Sequence, residues 1–144
     1  MPSNCYSDIT IGAEPEIIQM LVDCQFSFEL LRPLPEGIPP ENSNNYWDRW
    51  CGEHWGTIWD RKEYSIIQRG DRGINIVFTT TWTPPLELLK FLVDKYKIWI
   101  KCQWREEDGL SGIFIGQHTG ERVDIREFVW DDWSLKEDEE RMSS

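Results

Sequence analysis

Histidine is nearly missing from this chain, with only His54 and His118, and the four cysteines, Cys5, Cys24, Cys51 and Cys102, form no C-x-x-C pair. Zinc ribbons and dithiol redox motifs are therefore not expected. The phosphate loop G-x-x-x-x-G-K-[ST], the dinucleotide fingerprint G-x-G-x-x-G, the nucleophile elbow G-x-S-x-G and the zincin H-E-x-x-H are all absent. No apolar run approaches the ~18 residues of a membrane span. The opening "MPSNCYSDITIG" has neither a basic start nor a long apolar stretch, so no signal peptide is expected. These absences point to a cytoplasmic protein with reduced thiols, most of them small core residues, and to no cofactor.

Positive charge is also scarce. Fifteen basic residues against 26 acidic ones give a net charge of −11. Such a surface repels phosphate backbones and anionic membranes, which disfavours nucleic acid and membrane as partners. Tryptophan, by contrast, is abundant at nine copies, four of them in "NYWDRWCGEHWGTIWD" at residues 45–60.

At 144 residues the chain is long enough for one well-buried domain. Cys5, Ile9 and Ile11 alternate as in a strand. "EPEIIQMLVDC" follows as a helix, with Pro15 in its first turn and Ile17, Met20, Leu21 and Cys24 at helical spacing. Phe26, Phe28 and Leu30 in "FSFELL" read as a second strand. "RPLPEGIPPENSN" is an irregular connection. Asn44 or Asn45 is placed to cap a short helix whose one face carries Trp47, Trp50, Cys51 and His54, with Gly56 as its left-handed C-cap. "TIWDRKEYSIIQ" reads as extended and "DRG" as a turn.

"INIVFTTTW" is the clearest strand, with Ile74, Ile76, Phe78, Thr80 and Trp82 expected on one face. Thr83 is expected to cap a helix in "LELLKFLVDKY" with Pro84 at its first position. "IWIKCQW" is again extended, and "IFIGQ" and "RVDIREF" are expected to pair as a hairpin across "HTG". Two split β-α-β units give an α+β ferredoxin-like fold: an antiparallel sheet with helices on one face, an inserted Trp-rich helix and a C-terminal hairpin. The expected organisation is one domain over residues 1–130 and an acidic tail over 131–144, with Trp130 and Trp133 anchoring the start of the tail.

Four blocks carry a family resemblance. "HWGTIWD" resembles the N-W-G-T-K-W-[DN] signature of the YubB/Api92-like family. Pro2, Cys5 and Gly12 are similar to its opening, and Thr80, Trp82, Thr83, Pro84 and Pro85 to its T-x-W-[ST]-P-P segment. Glu107, Gly109 and Gly112 are similar to its late E-x-G-x-x-G turn. Asn4 stands in place of the opening tryptophan, and His54 and Ile58 in place of the usual Asn and Lys, so any contact made through that Lys is lost here. The resemblance implies a ferredoxin-like fold and an origin on a virus or other mobile element. It implies no reaction.

Cys51 and His54 form C-x-x-H on one helical face, a half-site for zinc or a thiol–imidazole dyad. Completing four ligands would need His118, Cys5, Cys24 or Cys102 by tertiary contact, so packing is the expected role. Glu106, Glu107 and Asp108 cluster in a turn without calcium-loop spacing. Trp50, Gly56, Trp82, Pro84, Pro85, Gly109 and Gly112 are expected to be structural. Trp47, Trp55, Trp59, Asp60, Trp130 and Trp133 are the candidates for contact with a protein partner. The expected function is non-enzymatic: a viral or mobile-element accessory protein that binds a host or viral protein in the host cytoplasm. The alternatives are a virion or assembly component, a small metal- or thiol-dependent enzyme using Cys51 and His54, and a single-stranded nucleic-acid binder. Pairing of two copies through an exposed strand edge also stays open.

Overall fold

A computed structural model describes residues 4–33, 50–57, 60–107 and 109–131. Six strands, β1 (Asn4–Gly12), β2 (Lys62–Arg69), β3 (Gly73–Thr81), β4 (Trp99–Glu106), β5 (Leu110–Thr119) and β6 (Arg122–Asp131), form one antiparallel sheet. Its spatial order is β2-β3-β1-β4-β5-β6. The helices are α1 (Pro15–Asp23), α2 (Phe28–Leu31), α3 (residues 50–54) and α4 (Leu86–Tyr96). The run β1-α1-β2-β3-α4-β4 with spatial order β4-β1-β3-β2 is the ferredoxin-like arrangement. The β5–β6 hairpin extends the sheet beyond β4.

Alternation decides the two faces. Cys5, Ser7, Ile9 and Ile11 of β1, Ile74, Ile76, Phe78 and Thr80 of β3, and Ile100, Cys102 and Trp104 of β4 are buried. They form one core with Ile18 and Leu21 of α1 and Leu88, Leu89, Leu92 and Val93 of α4. The opposite face carries Tyr6 and Asp8 of β1 and Gln103 and Arg105 of β4, all exposed. Among the described residues a single helical layer thus covers a single face.

Two glycines let the hairpin close on that core. Gly112 pairs with Trp104, and a Cβ built there would lie 2.3 Å from the indole Cζ2. A Cβ on Gly116 would meet Val93 at 2.9 Å and Ile125 at 3.1 Å. The absent side chains are what allow the ring of Trp104 and the helix α4 to sit directly on β5. Lys90 of α4 also reaches Glu127 of β6, at 3.1 Å.

Several expectations are corrected. "FSFELL" is not a strand: Phe28–Leu31 form α2, burying Phe28 and Leu31 three residues apart and leaving Leu30 69 % exposed. The second strand of the first β-α-β unit is β2, more than thirty residues later. Trp82 does not continue the inward row of β3; the chain leaves the strand after Thr81, and Trp82 is exposed at φ 68. Thr83 does not cap α4. Pro85 holds the cap position with no side-chain bond, and the Thr83 hydroxyl donates to the Gly56 carbonyl at 2.6 Å. The hairpin turn is Gly120–Glu121 rather than "HTG". With φ +63 at Gly120 and no positive φ at Glu121, it is a type II′ turn. The expected caps Asn44 and Asn45, and the tail beyond Asp131, lie outside the described residues.

Candidate functional site

The tryptophan-rich motif ties chain segments together. Helix α3 ends where the N–H groups of Trp55 and Gly56 both donate to the Cys51 carbonyl, at 2.7 and 3.1 Å. Gly56 then takes φ +89, with the Leu86 nitrogen and Pro84 oxygen so near that a Cβ would lie 2.9 and 3.0 Å from them. Only glycine fits that conformation and that approach. Around it, the Leu88 N–H donates to the Trp55 carbonyl at 3.2 Å, and the Thr57 hydroxyl donates to the Thr81 carbonyl at 2.9 Å. The two motifs singled out in the sequence, around residues 54–60 and 80–85, therefore clasp one another where β3 passes into α4.

Trp55 is 2 % exposed. Its indole N–H donates to the Arg32 carbonyl at 2.9 Å, and its ring meets Phe28 and Trp50 edge-on. Trp55 is thus corrected from a contact candidate to a core residue, because a sealed ring with a satisfied N–H has nothing left to offer a partner. Asp60 is corrected likewise. Its carboxylate accepts from the Ser27 hydroxyl at 3.2 Å and from the N–H groups of Phe28, Glu29 and Arg61 at 2.9, 3.2 and 2.8 Å. It caps α2 from 32 residues away along the chain, placing negative charge on free helical N–H groups. Arg32 closes the other side: it donates to the His54 carbonyl at 3.0 Å and lies 4.3 Å from the Phe91 ring centroid. Burial lowers the Arg32 pKa.

Cys51 and His54 do share α3, but the imidazole is otherwise engaged. His54 stacks flat on Trp50, with centroids 4.3 Å apart and planes 8° apart, and its Nδ1 lies 2.9 Å from the Trp50 carbonyl. A carbonyl only accepts, so Nδ1 carries the proton. Cys51 is fully buried. Among the described residues no group of three or more His, Cys, Asp or Glu is placed to hold a metal ion. His118 lines a different cleft, with Arg72, Lys97 and Trp99. Cys5 and Cys102 are buried, and desolvation, the largest cause, raises both thiols, Cys5 to about 12. Neither is a nucleophile at neutral pH.

The acidic turn after β4 closes the sheet. Glu107 N–H donates to the Asn4 carbonyl at 2.9 Å, and the Tyr6 hydroxyl donates to Glu107 Oε1 at 3.0 Å. A backbone hydrogen bond from Asn4 to the carboxylate, and after it the Tyr6 hydroxyl, hold the Glu107 carboxyl below the usual range, and the bond to Glu107 raises the Tyr6 phenol. Gly109 takes φ 107 in the same turn.

A run of exposed apolar side chains lies on β6. Phe128, Val129 and Trp130 are 59 %, 56 % and 42 % exposed, three in succession on an edge strand. Register places Phe128 opposite Ile113 and Trp130 opposite Ser111 on the uncovered face, and Val129 opposite Gly112 on the helical face. Trp130 was expected as a contact residue; Phe128 and Val129 were missed, although "FVW" is legible as a run that no single buried face of a strand can absorb. Trp47, Trp59 and Trp133 lie outside the described residues.

The sequence matches the family model described as "Ferredoxin-like domain in Api92-like protein" over residues 54–143. No curated protein and no solved structure matches it. The matched span holds β2 to β6 and α4, and the sheet they build is completed by β1 at its centre. With more than half of its length matched and the ferredoxin-like strand order in place, this chain belongs to the family of ferredoxin-like domains of Api92-like proteins.

Proposed function

We propose that this chain is a non-enzymatic accessory protein of viral or mobile-element type, acting in the host cytoplasm by binding another protein along β6. The observation that carries this reading is the exposed Phe128–Val129–Trp130 run on an edge strand. An unpaired edge offers a partner backbone hydrogen bonds, and three large apolar side chains supply the area to hold it. The motif residues that looked chemical are spent on packing and capping, which removes the support for a Cys51–His54 enzyme. Among the described residues no helix is long and apolar enough to cross a membrane. Affinity capture from host and infected-cell lysates with the wild type, Phe128→Lys and Trp130→Lys tests the reading. Proteins captured only by the wild type are expected; an identical set for all three would remove β6 as the contact. Mass spectrometry of purified particles separates a host-directed role from a virion component.

A second reading rests on the uncovered sheet face, where Tyr6, Trp99, Phe128 and Trp130 accompany Lys101 and Arg126. Aromatic rings with interspersed cations on such a face suit single-stranded nucleic acid. Quenching of tryptophan fluorescence by oligonucleotides at low salt, abolished by Trp99→Ala, is the result it requires.

A further inference from the structure

One end of the sheet, where β1 runs into α1 and α4 runs into β4, holds a cleft of about 440 Å³. Side chains from separate elements converge on it: Arg72 from the β2–β3 turn, Tyr96 and Lys97 from the end of α4, Trp99 from the start of β4, and His118 from β5. The register explains the meeting. Gly12 pairs with Gly73 on one side and with Trp99 on the other, so the β2–β3 turn and the start of β4 flank the last residue of β1.

Charge is the first feature that selects a ligand. Arg72 and Lys97 are donors only, and both are cations. The carboxylate beside Arg72 is Glu14, 3.6 Å away, in a pair whose side chains are 73 % and 68 % exposed. So open a pair is weak and leaves the guanidinium free to turn to a stronger acceptor. Among the described residues no carboxylate pairs with Lys97. Lys97 also takes φ 56 and ψ 45, the left-handed position past a helix end where glycine is usual. A lysine there carries backbone strain that glycine would not, and supplies an ammonium that glycine could not.

Aromatic surface is the second feature. Tyr96 and Trp99 lie on either side of Lys97 in the chain, and both line the cleft. A Cβ on Gly12 would meet Trp99 Cβ and Cε3 at 3.8 Å, so the indole rests against bare backbone of β1. A small inorganic anion would leave the rings unused, and an apolar ligand would leave the cations unmatched. An anion that carries a flat ring satisfies both.

We propose that this cleft binds a nucleoside monophosphate, with its phosphate on Arg72 and Lys97 and its base against Trp99. Size and charge favour a single nucleotide. The volume falls toward the lower end of the about 300–1,000 Å³ range of small-molecule pockets. A polyanion would meet the field of a chain of charge −11 along its whole length, whereas one nucleotide meets it only at a locally basic end. His118 adds a ring nitrogen within the same cleft. The site shares no residue with β6 and stands apart from the contact reading of that strand.

Titration of the full chain with AMP, GMP, CMP and UMP in turn, followed by the indole N–H signals in heteronuclear NMR and by calorimetry, tests the site. Saturable binding that shifts the Trp99 indole is expected, with inorganic phosphate and the free nucleoside each weaker than the nucleotide. Arg72→Gln and Trp99→Leu should each weaken the tightest nucleotide roughly tenfold. Lys97→Gly is the sharper variant, because glycine suits the left-handed backbone: Tm should hold or rise while affinity falls by a similar factor. Lys62→Ala removes a positive charge from the opposite end of the sheet and should leave affinity unchanged. A tetranucleotide with a terminal phosphate should bind no more tightly than the mononucleotide; tighter binding overturns the free nucleotide as occupant and assigns the cleft to strand ends. No saturable shift with any of the four at millimolar concentration overturns the proposal. So does phosphate that binds as tightly as the nucleotide, wild-type affinity in Arg72→Gln and Lys97→Gly, or an equal loss in Lys62→Ala, which would reduce the effect to net charge.

Discussion

Replacing Gly112 by alanine sets one methyl group against an indole. The added Cβ would lie 2.3, 2.5 and 2.8 Å from Trp104 Cζ2, Cε2 and Nε1, far inside van der Waals contact. Trp104 is 6 % exposed and sits on the helical side of the sheet, so the ring can yield only by displacing neighbours. Overpacking of this kind costs about 1–3 kcal/mol. Gly112 lacks a positive φ, so alanine fits its backbone and returns about 0.4–1 kcal/mol through the unfolded chain. The net expectation is a loss of about 1–2 kcal/mol, or roughly 3–8 °C in Tm for a domain of this size. Urea unfolding followed by tryptophan fluorescence measures it. The cause is isolated by a double-mutant cycle: in a Trp104→Leu background, Gly112→Ala should become neutral or stabilising, with a coupling above about 1 kcal/mol. Additive effects, or a Gly112→Ala variant as stable as the wild type, would refute the ring as the reason for the glycine.

Asp60→Ala should cost about 1–2 kcal/mol by uncapping α2, and Asp60→Asn less because one acceptor oxygen survives, both read by chemical denaturation. In the native protein only Cys24, the half-buried thiol, should react with an aromatic disulfide on the minute scale, with the other cysteines appearing on unfolding; a fast native Cys51 would restore the thiol-enzyme alternative. The lowered Glu107 pKa has a defined sign. Its contribution to stability is present above the ordinary carboxylate range and is lost as pH falls through the lowered folded value; Tyr6→Phe should return the Glu107 titration, followed by carboxyl NMR, toward the ordinary range.

Strands with a clean alternation were readable because burial on one face writes itself at period two: β1, β3, β4 and the hairpin were all placed from sequence. The failures share a cause. Phe26, Phe28 and Leu30 alternate as well, yet Ser27 caps Phe28–Leu31 as a helix and Asp60, distant in sequence, takes its first two N–H groups, a partner that no local pattern carries. Trp82 continues the period of β3, but the clasp between Thr57 and Thr81 ends the strand before it. Composition correctly marked the tryptophan cluster as unusual without separating its rings. Trp55 is sealed by Phe28 and Trp50, and Trp130 is open because, among the described residues, β6 has no neighbour on one side.

Strand β1 leaves the ribosome before the other described elements and is among the last of them to be satisfied. Its partners β3 and β4 end at Thr81 and Glu106, so on the order of 5–20 s of translation pass before both flanks exist. Throughout that interval the nascent chain displays Ile9 and Ile11 beside unpaired backbone, a form suited to chaperone capture, and one in which a ribosomal pause before residue 106 would be costly.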